Sequence, residues 1–172
     1  MLKAILSKKD LTQQTEYYDL VKDLLNDPNI LELMNYKHHN STTRFQHSLN
    51  VSYYNYLVCR KLHLDACAGA RAGLFHDLFF YDRKEHTPVK GEGWHGVGHP
   101  KVAFFNTSEL FSIDQREGDM IIKHMWPLTL SFPRYRESYV ITFVDKFCAV
   151  AEVAVHAVNC GKSKLTKHSK AA

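Results

Sequence analysis

Along nearly the whole chain apolar residues recur at three- and four-residue spacing with few alternations of the β type, a period that turns one apolar face inward only on helices. The expectation is an all-α fold. In "TQQTEYYDLVKDLLN", residues 12–26, Tyr17, Leu20, Val21, Leu24 and Leu25 share one stripe, and Asp27-Pro28 stops it. A short helix from about Asn29 to Tyr36 follows. Thr42 or Thr43 can cap a long helix to about Leu62, with His47, Val51, Tyr54 and Val58 on one face. Asp65 caps the next, "ACAGARAGLFHDLF", whose small residues permit close helix approach. Pro100 stands in the first turn of a further helix, and Ser112 or Asp114 caps one that runs through "QREGDMIIKHM" to Pro127. A long apolar helix spans about Tyr135 to Val158. Between Phe80 and Gly98 lies the longest irregular segment of the body, expected to be a lid-like loop.

The chain has 172 residues, the size of one domain with one real core, and no internal repeat is visible. Its net charge of +4 owes part of its excess to the tail "GKSKLTKHSKAA", expected to fray as a flexible basic segment over residues 161–172. The body is near neutral, which argues against a nucleic-acid surface and leaves an anionic small molecule as the compatible partner. Cys59, Cys67, Cys148 and Cys160 lack CxxC spacing, and the first three read as small buried hydrophobes of a reducing compartment. With no apolar run of 18 residues and too brief an apolar start for a secretory signal, a cytoplasmic protein off the membrane is expected.

Against this apolar background a few polar residues stand out. His76 and Asp77 lie side by side in "AGLFHDLFFYD", and Asp145 sits mid-helix between "YVITFV" and "KFCAV". His47, His99 and His124 also lie on or beside apolar faces. Burying such groups independently costs roughly 1–3 kcal/mol each, and an ionised carboxylate is almost never buried without a partner. One shared cation removes these costs together. Imidazole and carboxylate ligands without thiolate suit a borderline or hard first-row divalent ion. Because consecutive helical residues diverge by about 100°, His76 and Asp77 can reach one ion only from a helix end.

The order H…HD…H…H…D, carried by "TTRFQHSLNVS", "AGLFHDLF", "IIKHMWP" and "VITFVDKFCAVAE" over residues 40–155, resembles the HD-domain metal-dependent phosphohydrolase superfamily. The resemblance implies a single compact helical HD domain over residues 1–160, with the N-terminal helices of residues 1–40 packed on it. It implies His47, His76, Asp77 and Asp145 as core metal ligands, His99 and His124 as ligands of a second ion, and Asp77 as the bridging, catalytic carboxylate. "WHGVGHP" offers both His95 and His99, and His99 is preferred because it opens a helix. Where many members continue the pair as HD-I-G-K, this chain reads "HDLFFYDRK", with Arg83 or Lys84 as replacements for the lysine.

The implied cofactor is one or two divalent ions, Fe or Mn favoured, with Mg, Zn, Ni and Co as alternatives. The implied reaction is hydrolysis of a phosphoester or nucleotide phosphate by metal-activated water. The phosphorylated small-molecule substrate needs cations: Arg44, three residues before His47 and so on nearly the same face, and Lys84 and Arg134 near the ligand segments. Arg44 is also a candidate catalytic residue. Trp94 and Trp126 can frame a pocket. The same resemblance includes di-iron oxygenases, and a non-catalytic nucleotide-sensing module is the alternative from another class. The oligomeric state stays open.

Overall fold

A computed structural model describes residues 2–38, 42–83, 85, 87 and 94–169, with the side chains of His95 and of residues 162–169 outside the description. Seven helices carry the fold, as the apolar spacing requires: α1 (Thr15–Leu25), α2 (Pro28–Glu32), α3 (Arg44–Lys61), α4 (Ala66–Phe75), α5 (His95–Leu110), α6 (Gln115–Lys123) and α7 (Arg136–Ser169). The fold is all-α, and the strands described are two residues each. They are β1 (Lys37–His38) and β2 (Thr42–Thr43), antiparallel with His38 opposite Thr42. Among the described residues no helix is long and apolar enough to cross a membrane.

The helix starts follow their capping chemistry. Asp27, Thr43 and Asp65 accept from backbone N–H groups of α2, α3 and α4, and Asp114 with Glu117 forms a reciprocal capping box on α6. Of the paired sequence candidates, then, Thr43 and Asp114 are the caps. Two bounds differ from expectation. Helix α5 begins at His95, so Pro100 and His99 lie inside it instead of opening it. Val97 and Gly98 donate to the Trp94 carbonyl at 2.8 and 2.9 Å, which winds the glycine-rich stretch into helix before the proline is reached. Helix α7 continues to Ser169, past the expected end near Val158, because no proline interrupts it and the lone Gly161 is tolerated. Part of the expected lid, residues 84, 86 and 88–93, lies outside the described residues.

The closest helix pair is α3 with α4. A Cβ built on Gly73 would stand 2.4 Å from the Cα of Ser52, so only glycine permits the approach. Tyr17 of α1 seals this pair from above, donating to Ser52 Oγ at 2.9 Å, while the Ser52 hydroxyl donates to the Ala70 carbonyl at 2.7 Å. The core continues on both sides. Leu49, Leu74, Phe75 and Ile121 belong to one buried cluster, and Val51, Ala72, Met120 and Ile141 to another against α7. The amino-terminal segment is held by Ile5 N–H donating to Asn50 Oδ1 at 2.9 Å and Leu11 N–H donating to the Leu2 carbonyl at 2.8 Å. All four cysteines are free; Cys59 and Cys148 are buried, whereas Cys67 and Cys160 are exposed. Cys67 therefore departs from its expected burial: in the first turn of α4 its position points away from the α3 contact.

Candidate metal centre

Two histidines stand at helix ends and use them in the same way. His76 is the C-cap of α4 and His124 the C-cap of α6. Each directs Nδ1 at the carbonyl three residues earlier, Gly73 at 2.9 Å and Ile121 at 2.7 Å. A carbonyl only accepts, so both rings carry the proton on Nδ1 and present the Nε2 lone pair inward. The final carbonyls of two helices thus fix two tautomers. Asp77 follows His76 just beyond the helix, where the chain has turned enough for adjacent residues to face the same space.

The rest of the cluster gathers around these side chains. His47 on α3 has Asp145 Oδ1 at 3.0 Å from Nε2 and Glu152 Oε1 at 3.0 Å from Nδ1, both carboxylates coming from α7. Asp145 Oδ1 lies 3.7 Å from His76 Nε2, too far for a hydrogen bond. The Asp77 carboxylate divides its oxygens. Oδ2 faces His76 Nε2 at 3.9 Å, whereas Oδ1 faces His99 Nε2 at 3.3 Å and His124 Nε2 at 3.8 Å. His99 and His124 approach each other, Nε2 to Nε2, at 2.9 Å. All six residues expected as ligands therefore converge, and they come from α3, the end of α4, α5, the end of α6 and α7.

The donor set fits a divalent cation. Ligands about 2.1 Å from an ion stand roughly 3.0 Å apart at right angles and roughly 3.4 Å apart at the tetrahedral angle, close to the spacings found here. His76 Nε2 and Asp77 Oδ1 are buried and have no hydrogen-bond partner among the described residues. Among the described residues three sets, His38 with His47 and Glu152, His47 with His76 and Asp145, and His76 with Asp77 and His124, bring their ligand atoms within 4.8 Å of one another. These groups could hold a metal ion.

The electrostatics agree with that use. Burial pushes the Asp77 carboxyl up, but the neighbouring His76, His99 and His124 outweigh it and hold the group well below the usual carboxylate range. Asp145 is likewise pushed up by burial, but hydrogen bonding to His47 outweighs it and holds the group well below the usual carboxylate range. Burial together with the neighbouring His76 and His99 pushes His124 down to about 3, so it stays neutral with its lone pair available. His47 behaves oppositely: burial opposes its charge, yet Asp145 and Glu152 at its two nitrogens raise it to about 10.

Three residues at the site carried no expectation. Glu152 is buried and also accepts from Asn50 Nδ2 at 2.7 Å; it lies seven residues after Asp145 on the same helix face, and its apolar setting "AVAEVAV" was the signal. His38 stacks on His47 with ring centroids 3.8 Å apart, its Nδ1 3.8 Å from Asp77 Oδ2. It sits in the polar stretch "YKHHN", where nothing in the residue pattern marks it. Lys146 donates to the carbonyls of His124 and Thr142 at 3.1 and 3.2 Å, beside Asp145.

A cavity of about 260 Å³ opens onto the cluster and is walled in part by Lys37, Arg83, Trp94 and Lys146. Arg44 reaches this wall too, but its guanidinium is buried and donates to the Phe79 and Tyr81 carbonyls at 2.6 and 3.1 Å, with its Cζ 3.6 Å from the Phe79 ring centroid. Its main work is to pin the segment that follows Asp77. Arg134 is not among the residues around this cavity and lines a separate groove with Phe104 and Asp119 between α5 and α6. Its place near the ligand segments in sequence does not bring it to the ligands in space. Trp126 packs on Phe132 and Tyr139. Lys84 and the side chain of His95 lie outside the described residues; His99 is among the histidines that face Asp77. Comparison with protein-family models, with curated proteins and with solved structures found no match.

Proposed function

We propose that the chain is a metal-dependent phosphohydrolase of the HD-domain type, acting on a phosphoester or nucleotide phosphate. The observation that carries this reading is the split carboxylate of Asp77, which faces His76 on one oxygen and His99 with His124 on the other, at the floor of a cavity with cationic walls. His47, His76, Asp77 and Asp145 would hold one ion, and Asp77, His99 and His124 a second. A divalent cation supplies Lewis acidity there, acidifying water and offsetting charge on phosphoryl oxygens. Iron or manganese suits the all-nitrogen and oxygen donor set.

The protein's own residues do the remaining work. Glu152 holds the His47 ring in one orientation, and the helix-end carbonyls of Gly73 and Ile121 do so for His76 and His124. Lys146 spends two of its three N–H donors on carbonyls and keeps one for an anion in the cavity. Arg83 and Lys37 add positive charge at the mouth, and Arg83 stands in for the lysine expected after the HD pair.

The test is elemental analysis of the purified protein, followed by a phosphate-release screen over nucleotides and phosphoesters with the metal found. Phosphate release is expected, and Asp77→Ala should lose both metal and release. Full metal content in Asp77→Ala overturns the ligand assignment. Tight nucleotide binding without phosphate release, or iron-dependent oxygen consumption, overturns hydrolysis in favour of a sensor or an oxygenase.

A further inference from the structure

Helix α7 leaves the body before it ends. Glu152 is its last buried residue among those described, yet the helix continues to Ser169, roughly 25 Å further at 1.5 Å per residue. Residues 153–161 of it are exposed or half-buried, and an exposed helical stretch is marginal in water, so this part of the helix calls for a partner. The exposed side of α7 is also unusually apolar. Phe143 is 64%, Phe147 50% and Val150 70% exposed, and the first two border an apolar groove against Val58, Leu62 and Leu64.

These rings belong to a longer stripe. Tyr139, Phe143, Phe147 and Val150 fall within about 40° of one line along the helix, and Ala154, Ala157 and Gly161 extend that line past the body. From Phe143 onward the spacing alternates between four and three residues, the repeat by which one helix packs along another. Bulk is divided between the halves of the stripe: aromatic rings before Val150, small residues after it. Open space surrounds Gly161, where an added Cβ would meet nothing within 4 Å.

We infer that this stripe docks a second copy of the chain, α7 against α7 in antiparallel register about Val150. Two-fold symmetry about that residue sets Phe143 of one protomer opposite the partner's Ala157, and Tyr139 opposite the partner's Gly161, because each pair is equidistant from position 150. Tyr139 and Phe143 then each meet a small residue, a match that parallel pairing lacks, while Phe147 falls opposite the partner's Val153. The exposed apolar surface of the stripe and groove amounts to roughly 700 Å² per copy, near the roughly 800 Å² per partner of a standard stable interface.

Sedimentation of the full chain across a concentration series tests this. A species of twice the 19.9 kDa chain mass is expected, and Val150→Glu should shift it to the monomer while leaving the thermal midpoint of the folded body in place. Register is read by oxidation: with Cys67→Ser and Cys160→Ser removing the exposed thiols, Val150→Cys should cross-link to a dimer in high yield. In the unaltered chain Cys160 should not link to its counterpart, since antiparallel pairing holds the two apart. A wild-type chain that stays monomeric, a dimer indifferent to Val150→Glu, or efficient linkage through Cys160 overturns the proposal. So does a monomer whose stripe is filled by a fatty acid or by another protein's helix.

Discussion

Glu152 orients the His47 ring through one buried carboxylate oxygen. Its Oε1 accepts from both His47 and Asn50, while its Oε2 is buried without a hydrogen-bond partner among the described residues. Glu152→Gln keeps the shape but removes the charge that makes the His47 ring a better donor to a cation, and the cost expected for such an outer contact is about 10- to 100-fold in metal affinity. Competition against a chelator of known affinity measures this, and unchanged affinity would remove Glu152 from the site. Arg44 works differently. Arg44→Ala deletes two hydrogen bonds and a ring contact from a buried position, an expected loss of about 3 kcal/mol, or roughly 10 °C in the thermal midpoint at this chain length. An unaltered midpoint would return Arg44 to the substrate side. The clustering of these six residues was legible because each is a titratable group on or beside an apolar face, and the same logic reaches Glu152. It cannot reach His38, whose setting is polar and whose place depends on a two-residue strand pairing.

The helix starts were legible in the same physical sense, since Asp and Thr at the caps are local chemistry. The start of α5 was not, because glycine-rich sequence reads as loop until packing makes it helical. The α3–α4 contact shows how far small residues carry meaning. In an open helix Gly→Ala stabilises by about 1 kcal/mol, but at Gly73 the added methyl would meet the backbone of Ser52 at 2.4 Å and 2.6 Å, which cannot move aside as a side chain can. Gly73→Ala is therefore expected to destabilise by about 3 kcal/mol or more. Gly69→Ala, whose nearest neighbour is the Cys59 sulfur at 3.0 Å, should cost visibly less. Urea midpoints of the two variants decide the order. Equal midpoints would mean that α3 and α4 are not in this register, and His47 and His76, one on each, would lose their common site.

At the scale of the molecule, five helical segments deliver charge-bearing side chains to one small volume, and the fold carries the cost of holding them there. The protein itself supplies part of the compensation, with Asp145 and Glu152 on His47 and three histidines around Asp77. A cation that binds the folded chain and not the unfolded one adds its binding free energy to stability, since the ligands separate on unfolding. Above saturation each tenfold rise in free ion adds about 1.4 kcal/mol, which for a chain of this size is about 3–6 °C in the thermal midpoint. A midpoint rising linearly with the logarithm of free manganese or ferrous ion, and falling back on chelation, is the expected result. Asp145→Ala removes the α7 carboxylate that faces both His47 and His76 and would hold one of the two ions, so that variant should show a weaker response. An Asp145→Ala variant that responds as the wild type does removes Asp145 from the ligand set; if the wild-type midpoint ignores every first-row divalent ion, the convergence of these helices serves the fold through internal ion pairs alone. The phosphohydrolase reading then loses its cofactor, while the α7 pairing, which uses the opposite face of the same helix, is left standing for its own test.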